Sequence, residues 1–315
     1  MSPGETAAPA SDRPVALAAL FAGAVAIGAS PLFVKVSEAG PVSTAFWRVF
    51  LALPFLWAWM LAVAPRTSFS FFTRGGSAEG DGVVHADAPR ERRLMAVAGV
   101  YFAGDLAVWH WSIVLTTVAT ATLLANLAPI FVTLAVWLML GQRPALRFLS
   151  GLTMALAGIA LLVGGDVHIS GEVLLGDGLG VLTAMFYAGY QLTVTRLRTT
   201  TGTARIMLWS GMVTAAILLP VALVSGEQFL PSTGAGWIKL FGLALVAQVA
   251  GQSLIAYAMA HLPSRLSSVG LLLQPVMAAL FAWVLLGETL GVLQFAGAAL
   301  VLIGIRIAHQ AEAGK

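Results

Sequence analysis

The stretch LAPIFVTLAVWLMLG, Leu127 to Gly141, returns 146 positions later as LQPVMAALFAWVLLG, Leu273 to Gly287. Both copies place proline third, tryptophan eleventh and a Leu-Gly pair last, and neither contains a charge. The same shift carries on into Gly151 and Gly297, Gly158 and Gly304, and Ile159 and Ile305, so a whole helix pair is duplicated. A proline inside an uncharged apolar run fits a helix held by neighbouring helices in lipid. The repeated segment is therefore expected to cross a membrane.

Outward from this segment the chain keeps the same character. Its 315 residues are 59% hydrophobic and only 10% charged, with a mean hydropathy of +0.90, which excludes a water-soluble globule. Uncharged runs separate Arg13 from Lys35, Arg48 from Arg66, Asp105 from Arg143, Arg147 from Asp166, and so on to Arg306. The run 106–142 is too long for one crossing of a hydrocarbon core of about 30 Å, and the polar stretch Ser112 to Thr122 supplies a turn. Ten helices are predicted, at 14–36, 42–64, 94–115, 118–140, 146–164, 176–197, 204–224, 236–259, 264–286 and 290–308. A membrane barrel would instead show strands of about ten residues alternating apolar and polar.

Basic residues set the expected orientation. With the N-terminus in the cytoplasm, fourteen Arg and Lys residues fall on the cytoplasmic side, while Lys35 and Lys239 fall on the other and Arg48 lies within a span. Both termini are then cytoplasmic, and any other helix count would scatter the bias. The chain reads as an N-terminal tail 1–13, a five-helix half 14–164 with a flexible cytoplasmic connection at 65–93, a second five-helix half 176–308, and a tail 309–315. Because each half holds an odd number of helices, the fold class is an all-α membrane protein of two inverted five-helix repeats. The first apolar segment is longer than a secretory signal core and reads as an uncleaved helix, a cleaved signal being the alternative.

The two halves resemble the EamA-type permeases of the drug/metabolite transporter superfamily over roughly 14–308, through Leu127-Ala128-Pro129 to Leu140-Gly141-Gln142-Arg143 and Leu273-Gln274-Pro275 to Leu286-Gly287-Glu288. Gln142 stands where such proteins often carry Glu. The resemblance implies a ten-helix permease, typically an exporter of amino acids or other small metabolites, with helices four, five, nine and ten as scaffold. It implies a bacterial inner-membrane location and no particular cargo.

Candidate site residues follow from the cost of polar groups in lipid. Arg48, Asp105 and His110 are ionisable groups inside predicted spans and need partners, water or ligand. Arg48 is the candidate anchor for a carboxylate, and Asp105 or His110 for an amine or a coupling proton, Arg48 and Asp105 pairing or sharing water with His110 nearer the outer end. A buried ion pair that only fixes the helices is the structural alternative. Asn126 on helix four, Tyr187, Tyr190 and Gln191 on helix six, and Gln248 and Gln252 on helix eight trace further walls. Trp47, Trp109, Trp209, Tyr101 and Tyr257 are the aromatic candidates, whereas Trp57, Trp59, Trp137, Trp237 and Trp283 read as interfacial or scaffold anchors. Gly28 with Pro31 is the candidate hinge, and Pro54, Pro129, Pro220 and Pro275 mark further bends. Gly151, Gly158, Gly297 and Gly304 let neighbouring helices approach.

The sequence holds no cysteine, hence no disulfide, thiolate nucleophile or cysteine metal site. It has no phosphate loop, zinc helix or nucleophile elbow, and Gly176-Asp177-Gly178-Leu179-Gly180 opens a membrane helix rather than a dinucleotide fold. No cofactor, metal or nucleic acid is expected. The expected partners are the bilayer and a small-molecule substrate, moved by alternating access with protons as a coupling ion; oligomeric state is left open. Phosphorylated metabolites or nucleotide sugars are the rival cargo, and a membrane enzyme acting on lipid-linked substrates through Asp105 and His110 is the rival class.

Overall fold

A computed structural model describes residues 13–63, 88–115, 118–163, 171–287 and 290–313. Helices α1 (Arg13–Gly28) and α2 (Ser30–Lys35) form one broken rod, as do α3 (Pro41–Phe50) and α4 (Leu53–Val63). After α5 (Ala88–Leu115) come α6 (Val118–Ala125) and α7 (Ala128–Leu140), α8 (Leu146–Val163), α9 (Gly171–Leu197) and α10 (Thr203–Val224). The next rod runs from α11 (Gly234–Leu243) through a π-helical stretch (Ala244–Gly251) into α12 (Gln252–Ala258). Helices α13 (Ser264–Gly270), α14 (Leu273–Leu286) and α15 (Val292–Ala313) end the fold. No strand occurs among the described residues.

Nine of these rods are long and apolar enough to cross a membrane, so the chain is a multi-pass membrane protein. The predicted third span is a 28-residue helix. It is not counted among the nine. This helix starts at Ala88, six residues before its predicted start, and takes Arg90, Arg92 and Arg93 into its first turns. Helix α9 likewise starts at Gly171, since the glycines at 176, 178 and 180 continue the helix. Helix α15 runs five residues past its predicted end. The tail 1–12, most of the 65–93 connection and the turn at 116–117 lie outside the described residues.

Prolines set the breaks. Pro31, Pro54, Pro129 and Pro275 each sit in the first turn or so after an interruption, at Ala29, at 51–52, at 126–127 and at 271–272. A proline has no N–H to bond the carbonyl four residues earlier, which frees backbone polarity in the middle of a span. Pro220 lies within α10 and does not break it.

Two kinds of contact hold the bundle. Helices α8 and α15 cross antiparallel with glycines at the crossing: a Cβ on Gly158 would stand 2.6 Å from the Gly297 carbonyl oxygen, and one on Gly151 would stand 2.7 Å from that of Gly304. Backbones this close need residues without a side chain. Larger side chains fill the rest of this scaffold, with Phe148, Ile159, Val269, Leu272 and Val301 buried together. The remaining rods surround a central core that includes Leu20, Val49, Leu56, Tyr190, Ile206 and Leu266. Here α1 packs on the π stretch, α12 and α14, α5 on α9, α7 on α9, and α3 and α4 on α10.

The two ends of the bundle differ. At one end the Glu38 carboxylate accepts the Ser232 and Thr233 backbone N–H groups at 2.9 and 3.0 Å and the Thr233 hydroxyl at 2.6 Å. In return Glu227 accepts the Val42 N–H at 2.9 Å in the first turn of α3. Glu227 thus caps α3, where the N-terminal dipole favours a carboxylate, and Glu38 holds Thr233, whose hydroxyl caps α11 by accepting the Gly236 N–H. At the opposite, arginine-rich end, Arg265 donates to Gln142 at 3.3 Å and lies 3.7 Å from Glu312.

Candidate functional site

The breaks converge on a cavity of about 200 Å³ in the half of the molecule nearer Glu38, with Val34 and Pro41 among its walls. Part of its polar lining comes from broken rods: Ser30 beside the α1–α2 break, Arg48 before the α3–α4 break, Asn126 between α6 and α7, and Gln274 at the start of α14. Ile27 and Ala125, whose carbonyls lie four residues before Pro31 and Pro129, also line it. A break therefore delivers a side chain and an under-bonded carbonyl to the same place.

Arg48 is 9% exposed. Its Nε donates to the Gln248 side-chain oxygen at 3.1 Å, and its guanidinium lies 6.0 Å from the centre of the Phe102 ring. Gln248 is itself buried in the π-helical stretch, a backbone form frequent at functional sites. Asp105 lines the same cavity and is half-buried. Among the described contacts the direct partner of the guanidinium is Gln248, not Asp105. Opposite charges thus face one cavity from α3 and α5 without closing on each other.

Six more of the predicted residues line this cavity: Trp109, Asn126, Tyr187, Gln252, Gly28 and Pro31. Asn126 donates to the Thr122 carbonyl at 2.7 Å, and Gln252 Oε1 is buried with no hydrogen-bond partner. A Cβ on Gly28 would stand 2.7 Å from Met277 Cβ, so the α1 break is also a close approach to α14. The His110 side chain lies outside the described residues.

The other candidates stand elsewhere. Trp47 donates to the Phe229 carbonyl at 2.8 Å and meets Phe46, Phe50 and Trp237 edge-on and Phe229 at a tilt near the Glu38 end, since its indole N–H finds a backbone acceptor there. Tyr101 fills the gap over Gly189 and meets Phe186 edge-on, joining α5 to α9. Tyr190 is 2% exposed, stacked on Phe102 and Tyr187, and its hydroxyl meets the Met207 sulfur at 3.8 Å. Gln191 is buried, Trp209 packs on the central core, and Tyr257 lies over His261.

Sequence reasoning passed over Gln274, whose Nε2 is buried without a partner at the cavity wall. Thr44, Thr183 and Ser30 were missed as well. The signal for Gln274 was present, since an amide precedes Pro275 where the first repeat has Ala128 before Pro129. No cluster of three or more metal-ligating side chains occurs among the described residues.

Comparison with known proteins adds an independent line. The EamA-like transporter family matches at residues 14–164 and 174–308. An uncharacterized transporter of Archaeoglobus fulgidus is 26% identical over 291 residues, covering 92% of this chain and 95% of that protein. A probable terminal-alkyne amino-acid exporter of Streptantibioticus cattleyicolor is 28% identical, covering 72% of this chain and 77% of its own length. The pseudopaline exporter CntI of Pseudomonas aeruginosa is 25% identical, covering 67% and 72%. A solved crystal structure superposes with a TM-score of 0.73 at 18% identity, over 95% of this chain and 97% of that one, which shows the fold alone.

Proposed function

The chain belongs to the EamA-like transporter family, and from that premise we propose that it exports small zwitterionic metabolites, amino acids with large apolar or aromatic side chains among them, by alternating access. The observation that carries the reading is the separation of charge in the cavity: Arg48 and Asp105 both line it, yet the guanidinium is held by Gln248. An α-amino acid brings a carboxylate and an ammonium group, which match Arg48 and Asp105 respectively. Phe102, Trp109 and Tyr187 supply the apolar walls for its side chain. Among the described lining residues Arg48 is the single cation, which suits a carboxylate better than the multiply charged phosphates of the rival cargo.

The proposed frame is ten spans in two inverted repeats, with both termini in the cytoplasm of a bacterial inner membrane. Helix pairing supports it. α1 packs on α12 and α14 as α9 packs on α5 and α7, which is the pattern expected when one half is rotated onto the other. Gly141 and Gly287 end their helices with φ of 67° and 68°, and the glycine crossing of α8 with α15 relates like to like. Asp105 is the proposed site of proton exchange. Two of the relatives, a probable terminal-alkyne amino-acid exporter and a pseudopaline exporter, agree by name with this class of cargo.

Flux in proteoliposomes tests the proposal. Radiolabelled phenylalanine, leucine, lysine and glutamate are compared with and without an imposed pH gradient. The expected result is saturable movement of the neutral amino acids, reduced at least tenfold in folded Arg48→Ala and Asp105→Asn variants, with the gradient dependence lost in Asp105→Asn. Equal flux in all three proteins would remove both residues from the site.

A further inference from the structure

Most hydroxyls within these helices bond back to their own backbone: Thr133 to the Pro129 carbonyl, Thr183 to Leu179, Ser210 to Ile206, Thr214 to Ser210. Ser30 at the cavity wall, Ser43 in α3 and Ser253 in α12 depart from that habit, and so do Gln191, Ser267 and Ser268. These last three are 2%, 0% and 1% exposed, and Gln191 Oε1, Ser267 Oγ and Ser268 Oγ have no hydrogen-bond partner. Groups buried in this way are uncommon in folded proteins, and each calls for a reason. Gln191 belongs to α9 and the two serines to α13, helices that pack against each other.

Their position supplies the reason. On α9, Thr183 and Tyr187 line the cavity, and Gln191 continues the same i, i+4 stripe about 6 Å further along. On the other wall Ala278 and Gln274 line the cavity. Leu271 and Ser267 extend that stripe across the α13–α14 break, Ser267 about 10 Å beyond Gln274, with Ser268 beside it. A polar stripe on α9 and a mixed one on α14 and α13, in which Leu271 separates Gln274 from Ser267, therefore leave the cavity and run toward the arginine-rich end, where Val194, Leu197, Leu262 and Leu266 close the core.

We infer that Gln191, Ser267 and Ser268 line the other half of the transport path, shut in this conformation between α9 and α13. When the two helices part, water and the polar ends of the substrate bond to these groups. A hydroxyl or an amide both donates and accepts, so it can pass a carboxylate and an ammonium group without trapping either. The inference rests on the transporter reading and adds to it the wall along which cargo enters or leaves the cavity.

The absence of cysteine from the sequence makes the test direct, because each introduced thiol is unique. Full-length Ser267→Cys and Ser268→Cys are treated with a membrane-impermeant maleimide from either side of sealed vesicles. Asn126→Cys reports the cavity, and Val269→Cys, fully buried in the scaffold core, sets the background. The expected result is that Asn126→Cys reacts from one side, and that Ser267→Cys and Ser268→Cys react from the opposite side at least tenfold faster than Val269→Cys. Thiols at 267 and 268 as unreactive as the one at 269, in a protein that does transport, would overturn the inference and leave the transporter reading intact; wild-type protein that moves no substrate would instead sink that reading. Ser267→Ala gives a second measure, with slower transport at an undiminished melting temperature expected. A higher melting temperature with unchanged transport would mark the hydroxyl as a packing defect and also overturn the inference.

Discussion

Gln248 fixes the direction of Arg48 in the cavity, so its loss separates holding a charge from binding a ligand. Gln248→Leu leaves a buried guanidinium N–H without an acceptor, and an orphaned donor of this kind costs about 1–3 kcal/mol. The expected outcome is a lower melting temperature in detergent together with a raised KM for a carboxylate substrate, whereas Gln248→Glu keeps an acceptor and restores the melting temperature. Glu38 offers a pH test at the opposite level of exposure. The Thr233 hydroxyl, with the N–H groups of Thr233 and Ser232 and the charge of Lys239, holds its carboxyl below the usual carboxylate range. Because the folded value is the lower one, its stabilising contribution is complete above the ordinary carboxylate value and is lost as pH falls through the depressed one. Wild type should therefore hold its melting temperature between pH 7 and 5 and lose it in stronger acid, while Glu38→Gln starts lower and shows less of that acid step. Arg48 and Asp105 were legible in the sequence because charge stands out in an apolar run. Gln274 was legible only against its repeat partner Ala128, since taken by itself an uncharged amide beside a proline looks like any other interruption. Trp47 was read toward the cavity because helix phase does not reveal that the Phe229 carbonyl waits on the other side.

At the level of elements, two glycines with different jobs predict different costs for the same substitution. Gly141 ends α7 in the left-handed region with open space around it, so Gly141→Ala should cost about 1–2 kcal/mol of backbone strain and nothing in contacts. Gly158 has ordinary helical backbone but faces the Gly297 carbonyl at 2.6 Å. Gly158→Ala must push α8 from α15, an overpacking cost of about 1–3 kcal/mol. Denaturation of both single variants and the double variant should show nearly additive losses, because the two sites share no partner. Only Gly158→Ala should also slow transport, if the scaffold must stay close for the other helices to move. Helix positions were legible to within a few residues because charge and hydropathy mark where lipid ends. The interruptions at Ala29, 51–52, 126–127 and 271–272 were half legible: proline announced a bend, but not that each would be a tight turn of helical backbone with a polar side chain beside it. Gly176, Gly178 and Gly180 misled in the other direction. Gly176 accepts the Ser112 hydroxyl and Gly180 seats Leu124, so the helix persists through residues that would weaken it in water.

For the molecule as a whole the solvent is the decisive variable. Many large apolar side chains stand on the outside, among them Leu134, Trp137, Met185, Leu219, Leu302 and Ile303, which a protein in water would have to hide. This was legible from composition alone. The partners of each helix were not, because a span that is apolar on every face carries little phase information; the spaced glycines of α8 and α15 marked a face where some neighbour comes close, but not which one. The medium itself can be tested at Leu302, near the middle of α15 and 49% exposed. Were this surface wet, Leu302→Arg would change stability by less than about 0.5 kcal/mol, the usual range for an exposed site. In a bilayer the same arginine meets hydrocarbon at the centre of a span, where insertion costs about 2.5–3.5 kcal/mol. The expected outcome is a marked drop in membrane insertion of α15 in a glycosylation-mapping assay. Leu293→Arg, in the first turn of α15 and 68% exposed, should insert nearly as well as wild type because its side chain can reach the interface. Equal insertion of the two variants would mean that α15 does not stand in lipid at the depth its length and composition imply.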